Sequence, residues 1–148
     1  MTLDRLALIV TAIDPEARRI GPSFEMMLED IPVLIITDPR ADRMRAMVPI
    51  RSVSGLEADE LLRLMQANFD SALDARYAVA NGRLWGVFIH PLSPLEKDQL
   101  LSGLIRTINL SRTYGTLYSG GATQFGGGDS DDIYRGLLRD LLDKGHDI

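Results

Sequence analysis

The stretch Arg76-Tyr77-Ala78-Val79-Ala80-Asn81-Gly82-Arg83-Leu84-Trp85-Gly86-Val87-Phe88-Ile89 decides the fold class. Asn81-Gly82 is the pair favoured where a two-residue turn needs positive φ at both central positions. Arg76 to Ala80 and Leu84 to Ile89 are therefore expected to fold back on each other as antiparallel strands. The return arm is apolar on both faces, which suits a central strand.

Upstream of the hairpin, Ala58 to Phe69 has helical period. Leu61, Leu62, Met65 and Phe69 make an apolar face, with Asp59, Glu60, Arg63 and Gln66 toward water. Before it lie three strand signals. Phe24, Met26 and Leu28 alternate with Glu25, Met27 and Glu29. Asp30-Ile31-Pro32 reads as a turn. Val33 to Ile36 is a branched apolar run of the kind covered on both faces. Asp38-Pro39-Arg40-Ala41-Asp42 is a second turn. Met44, Ala46, Val48 and Ile50 then alternate with Arg43, Arg45 and Met47, and Pro49 places this strand at a sheet edge or its end. The chain starts with a short helix, Leu3 to Ile13, capped by Thr2 and stopped by Asp14-Pro15.

Downstream, His90-Pro91 closes the hairpin. Ser93-Pro94-Leu95-Glu96 reads as a capping box with Ser93 as N-cap and Pro94 at the first helical position. Leu100, Leu101, Leu104, Ile105 and Ile108 carry that helix's stripe to about Tyr114, with Gly115 as the stop. Ser119-Gly120-Gly121 and Gly126-Gly127-Gly128 form a hinge. Ser130 opens a terminal amphipathic helix with Ile133, Leu137, Leu138 and Leu141 on one face. The expected architecture is α+β, in the order α-β-β-β-α-β-β-α: an antiparallel sheet packed by helices, with a C-terminal helix after the hinge. Residues 1–118 form the domain and 119–148 the hinge and helix.

Composition narrows the function. The 148 residues are 45% hydrophobic and 25% charged, a globular balance. With no cysteine there is no disulfide, thiolate metal site or cysteine nucleophile. A net charge of −5 argues against nucleic acid as a partner. Signal-peptide and transmembrane patterns are missing, so no membrane association and a cytoplasmic location are expected.

Catalytic chemistry finds little support. Gly121 and Gly126 have P-loop spacing, but Gly127-Gly128 stand where lysine and serine or threonine belong. Asp129, Asp131 and Asp132 fail the EF-hand pattern at Ile133 and Tyr134 and fit the charge preference of a helix start. His90 and His146 make no metal pair, and His90 reads as structural. Asp70, Asp74 and Arg76 fit an ion-paired connection better than acid–base work, and Arg43, Arg45 and Arg51 fit a solvated basic strand face. No cofactor or metal is expected. Met26, Met27, Met44, Met47 and Met65 are the most suggestive feature, since methionine suits both core gap-filling and surfaces that accept varied peptides.

The order of elements resembles the type III secretion chaperones of the Tir-chaperone kind and the related YbjN-like bacterial proteins. Leu61-Leu62-Arg63-Leu64-Met65-Gln66-Ala67-Asn68, Arg76-Tyr77-Ala78-Val79, Leu84-Trp85-Gly86-Val87 and the capped helix from Ser93 carry the likeness, over roughly residues 1 to 115. The terminal hinge and helix go beyond it. The resemblance implies a homodimer without enzymatic activity that holds a partner polypeptide on its sheet and first helix. It marks Leu62, Met65, Phe69, Trp85 and Val87 as dimer-interface candidates and Leu6, Val10, Met27 and Met47 as partner-binding candidates. The rival reading is a small-ligand-binding or regulatory domain using the sheet face and the Arg43/Arg45 strand. An enzyme built on His90, Asp70 and Asp74 ranks below both.

Overall fold

A computed structural model describes residues 1–115, 136 and 138–143. The elements run α1 (Leu3–Ile13), β1 (Arg18–Ile20), β2 (Ser23–Leu28), β3 (Ile31–Asp38), β4 (Arg43–Ser52), α2 (Ala58–Asp70), β5 (Arg76–Ala80), β6 (Arg83–Pro91) and α3 (Lys97–Thr113). The strands form one six-stranded antiparallel sheet in the order β1-β2-β3-β4-β6-β5. The α+β class and the order of elements agree with the periodicity. Asn81 (φ 51°) and Gly82 (φ 70°) make the hairpin turn as the sequence requires. Thr2 Oγ1 accepts from the Arg5 amide at 3.1 Å, closing the first turn of α1.

One face of the sheet carries the core. Phe24, Met26, Val33, Ile35, Met44, Ala46, Val48 and Phe88 pack there against Leu6, Ile9, Val10 and Ile13 of α1 and the full stripe of α3. A second cluster joins Leu64 and Ala67 of α2 to Tyr77, Leu84 and Leu110 on the same side. Helical residues 138–143 return to this side, with Leu141 inside the main cluster and Leu138 and Leu142 packed on it. The glycine hinge, Ser130, Ile133 and Leu137 lie outside the described residues.

Several local expectations change. β1 was not anticipated, because three residues are too few to show a period; they turn back at Gly21 (φ 59°) and pair with β2. The turn before β3 is Glu29-Asp30, both at positive φ, and Pro32 lies within β3 opposite Met27. β4 is not an edge strand. It sits between β3 and β6, and Pro49 is accommodated by a register shift between Pro49 and Arg51 that frees it from ladder donation. That shift also turns Arg51 away from Arg43 and Arg45, toward the Ser52 and Ser54 carbonyls and the Tyr114 hydroxyl. Val33 to Ile36 is covered on one face only, leaving Ile36 exposed.

α3 begins at Lys97, with Glu96 as N-cap and the Glu96 amide donating to Gln99 Oε1 at 2.9 Å. Ser93 is therefore not the cap. Its amide and hydroxyl donate to the Asp42 carboxylate at 2.7 and 2.8 Å, tying the approach to α3 to the β3–β4 turn. Asp74 pairs with Arg106 at 3.6 Å, while Arg76 donates to the Leu73 and Ala75 carbonyls, so the expected Asp70–Asp74–Arg76 cluster is not an ion-paired unit.

Candidate protein-binding surfaces

Because the described helices gather on one side, the other sheet face is left uncovered by the described residues. One row across it reads Arg18, Glu25, Leu34, Met47, Val87 and Arg76. The next reads Ile20, Ser23, Ile36, Arg45 and Ile89. On the other flank Met27 lies opposite Pro32, and Pro49 opposite Trp85. Ile20, Met27, Ile36 and Ile89 are exposed there. Met47 and Val87, in the middle, are buried by their neighbours on the same face. Trp85 is half-buried and held in place by its indole N–H, which donates to the Ala80 carbonyl at 3.1 Å.

At the β1–β2 end this face deepens into a cleft of about 450 Å³, with Met27, Pro32, Leu34, Pro49 and Trp85 among its walls and Asp14, Glu16, Arg18 and Glu25 at its rim. Asp14 Oδ2 accepts from the Met27 amide at 2.8 Å, satisfying β2 where β1 no longer runs beside it.

The second uncovered surface is on α2. Asn68 brackets Tyr77 of β5, donating to its carbonyl at 3.2 Å and accepting from its amide at 2.7 Å. The side-chain amide thereby stands in for a further strand at the sheet edge. With Leu64 and Ala67 turned inward, the larger apolar residues point out: Leu62 is 68% exposed, Met65 69% and Phe69 86%. The apolar face read from Leu61, Leu62, Met65 and Phe69 is thus the outer face of the helix, and Leu64 and Ala67 make the contact with the sheet.

The site candidates divide accordingly. Leu6 and Val10 are core residues of α1, because the helix buries the whole stripe that holds it to the sheet; Leu8 is the large apolar residue α1 exposes. Met27 is exposed on the open face and Met47 is buried within it. Leu62, Met65 and Phe69 share one patch. Trp85 and Val87 belong to the opposite side of the sheet from α2, so the five dimer candidates do not form one surface. Ile36, Ile89 and Asn68 were missed as site residues. The alternation of Arg45 between apolar neighbours was visible in the chain, but which residues flank it across the sheet depends on register.

His90 is half-buried, with Nδ1 2.8 Å from the Pro91 oxygen and its ring 5.9 Å from Phe88. Among the described residues no group of three or more histidine or acidic side chains could hold a metal ion, and no helix is long and apolar enough to cross a membrane.

No protein-family model matches the chain, and no curated protein does. Solved structures do. A chain of the ExsC–ExsE complex superposes with a TM-score of 0.62 at 9% identity, covering 78% of this chain and 95% of that one. A chain of the HopA1–SchA chaperone–effector complex gives 0.57 at 9% identity, with 76% and 92% covered. The chain has a type III secretion chaperone-like fold. The neighbours' chains are matched nearly end to end, while a little under a quarter of this chain has no counterpart in them.

Proposed function

We propose that this chain is a non-enzymatic, homodimeric protein-binding module that holds a partner polypeptide. The observation that carries the reading is the pair of apolar surfaces that the described residues leave uncovered. Single exposed apolar residues are ordinary, but a contiguous set implies a covering surface. The outer face of α2, with Leu62, Met65 and Phe69, is assigned to the second copy. The open sheet face and its cleft, with Met27, Ile36, Met47, Trp85 and Val87, are assigned to the partner polypeptide. Both solved neighbours come from complexes, one named as chaperone with effector, which supports a polypeptide as the occupant.

Light scattering on the purified chain tests the first half. The wild type is expected to run as a dimer, and Met65→Asp with Phe69→Asp as a folded monomer. Neither residue is needed for the core, so folding is not at stake. A wild type that stays monomeric at high concentration sinks the homodimer. For the second half, Met27→Asp is expected to abolish partner capture while leaving the dimer intact; unchanged capture removes the sheet face from the docking surface.

A further inference from the structure

We infer that the open sheet face selects an acidic, apolar polypeptide segment, whose carboxylates meet Arg43 and Arg45 while its apolar side chains pack on Ile36, Ile89 and Trp85. This rests on the reading of that face as a docking surface and specifies the chemistry of what docks there.

Three observations converge. First, the strands present Arg18, Arg43, Arg45, Arg76 and Arg83 on this face against Glu25 and Asp38, with Asp14 and Glu16 at the cleft rim, although the whole chain carries a charge of −5. Second, the ion pairs among the described residues join Arg18 to Glu25, Arg19 to Asp4 and Arg106 to Asp74; Arg45 joins none of them, while Arg43 has Asp38 opposite it and Asp42 beside it. Third, Arg45 stands directly between Ile36 and Ile89 in the cross-strand register, and both isoleucines are exposed.

An apolar segment laid over Ile36 and Ile89 must strip water from the guanidinium between them. That desolvation is unfavourable unless the segment supplies an acceptor, and a carboxylate matches the planar fork of arginine in two-point geometry. A purely apolar segment lacks that compensation, and a basic one adds repulsion. Nucleic acid fits poorly, because the arginines are interleaved with isoleucines instead of forming a continuous phosphate track, and the acidic remainder of the chain repels a polyanion.

Two labelled probe peptides of about ten residues test this, long enough at ~3.3 Å per residue to cross strands spaced ~4.8 Å apart. One alternates leucine with aspartate and the other leucine with lysine; binding to the full chain is read by fluorescence anisotropy. The overall charge of the chain favours the lysine peptide, so the two effects oppose each other. The aspartate peptide is expected to bind roughly tenfold tighter or better, the scale of one charge-assisted contact. Arg43→Glu with Arg45→Glu reverses that preference, and Ile36→Asp weakens both peptides.

Equal binding of the two peptides that Ile36→Asp still removes overturns the acidic selectivity and leaves the docking surface standing. Failure of both peptides, with Ile36→Asp without effect, overturns the docking surface itself. A dimer that Ile36→Asp converts to monomer assigns the face to a second copy and overturns the inference. Tighter binding of a single-stranded oligonucleotide than of the aspartate peptide, lost on the arginine substitutions, overturns it in favour of nucleic acid.

Discussion

α2 and α3 carry similar sequence patterns and meet opposite fates. In α3, Leu100, Leu101, Leu104, Ile105 and Ile108 are all in the core. In α2, Leu62, Met65 and Phe69 form as clean a stripe, yet they face outward while Leu64 and Ala67 make the contact. The difference lies in what each helix meets. α3 lies across the middle of the sheet, where Phe88 and Met44 offer a broad apolar floor. α2 meets the sheet edge at β5, where Asn68 bonds the Tyr77 backbone and Leu64 and Ala67 pack against Tyr77, Leu84 and Leu110. A helical stripe thus shows that a helix is amphipathic, but not which of its faces the chain itself covers.

The sharpest way to break this contrast is to truncate one residue on each helix. Leu104→Ala is expected to cost about 2–5 kcal/mol, the range for a large core side chain whose cavity cannot collapse. Phe69→Ala is expected to change the unfolding free energy of the isolated chain by no more than about 0.5 kcal/mol, as surface substitutions do. Urea titration at high dilution separates this from any effect through association. Comparable losses at the two sites would mean that α2 is buried in the single chain and that the contrast is false.

Much of the fold was legible. The Asn81-Gly82 hairpin, the β2 alternation, the α1 cap at Thr2 and the α3 stripe all rest on local periodicity or turn chemistry, which a sequence states directly. What failed was non-local. β1 is too short to show a period and exists because β2 offers it an edge. Pro49 reads as an edge marker until a bulge removes its need to donate. Ser93 is a plausible cap by spacing, but Asp42, reached only when the β3–β4 turn comes alongside, takes its hydroxyl. The site was less legible for the same reason. Met27 lay on the solvent side of its alternation and is exposed, whereas Leu6 and Val10 anchor α1 and are unavailable. Arg45 acquires its isoleucine neighbours only through cross-strand register.

The contrast sharpens at Gly103. A Cβ there would stand 2.5 Å from the Phe88 ring, so α3 needs glycine to sit this close to β6. Alanine elsewhere in a helix interior gains about 1 kcal/mol over glycine. At Gly103 the clash is expected to outweigh that gain and leave Gly103→Ala less stable by about 1–3 kcal/mol, the usual cost of overpacking. Thermal unfolding of Gly103→Ala decides it: a raised melting temperature would mean that α3 has room to move off the sheet.

The smallest effect concerns how α3 is tied at its start. The Ser93 hydroxyl and amide both donate to the Asp42 carboxylate and hold its pKa below the ordinary aspartate value of 3.8. The unfolded chain therefore takes up this proton at higher pH than the folded one. The tether's contribution is complete above 3.8 and fades as pH falls below it through the folded-state value. Ser93→Ala removes the larger of the two contacts while keeping the amide. Its melting temperature is expected to lie slightly below wild type near neutral pH and to converge on it in acid, and the gap should vanish in an Asp42→Ala background. A gap that persists unchanged below pH 3.8 would show that Ser93 steadies the approach to α3 without the carboxylate, and that the two helices do not differ in being electrostatically moored.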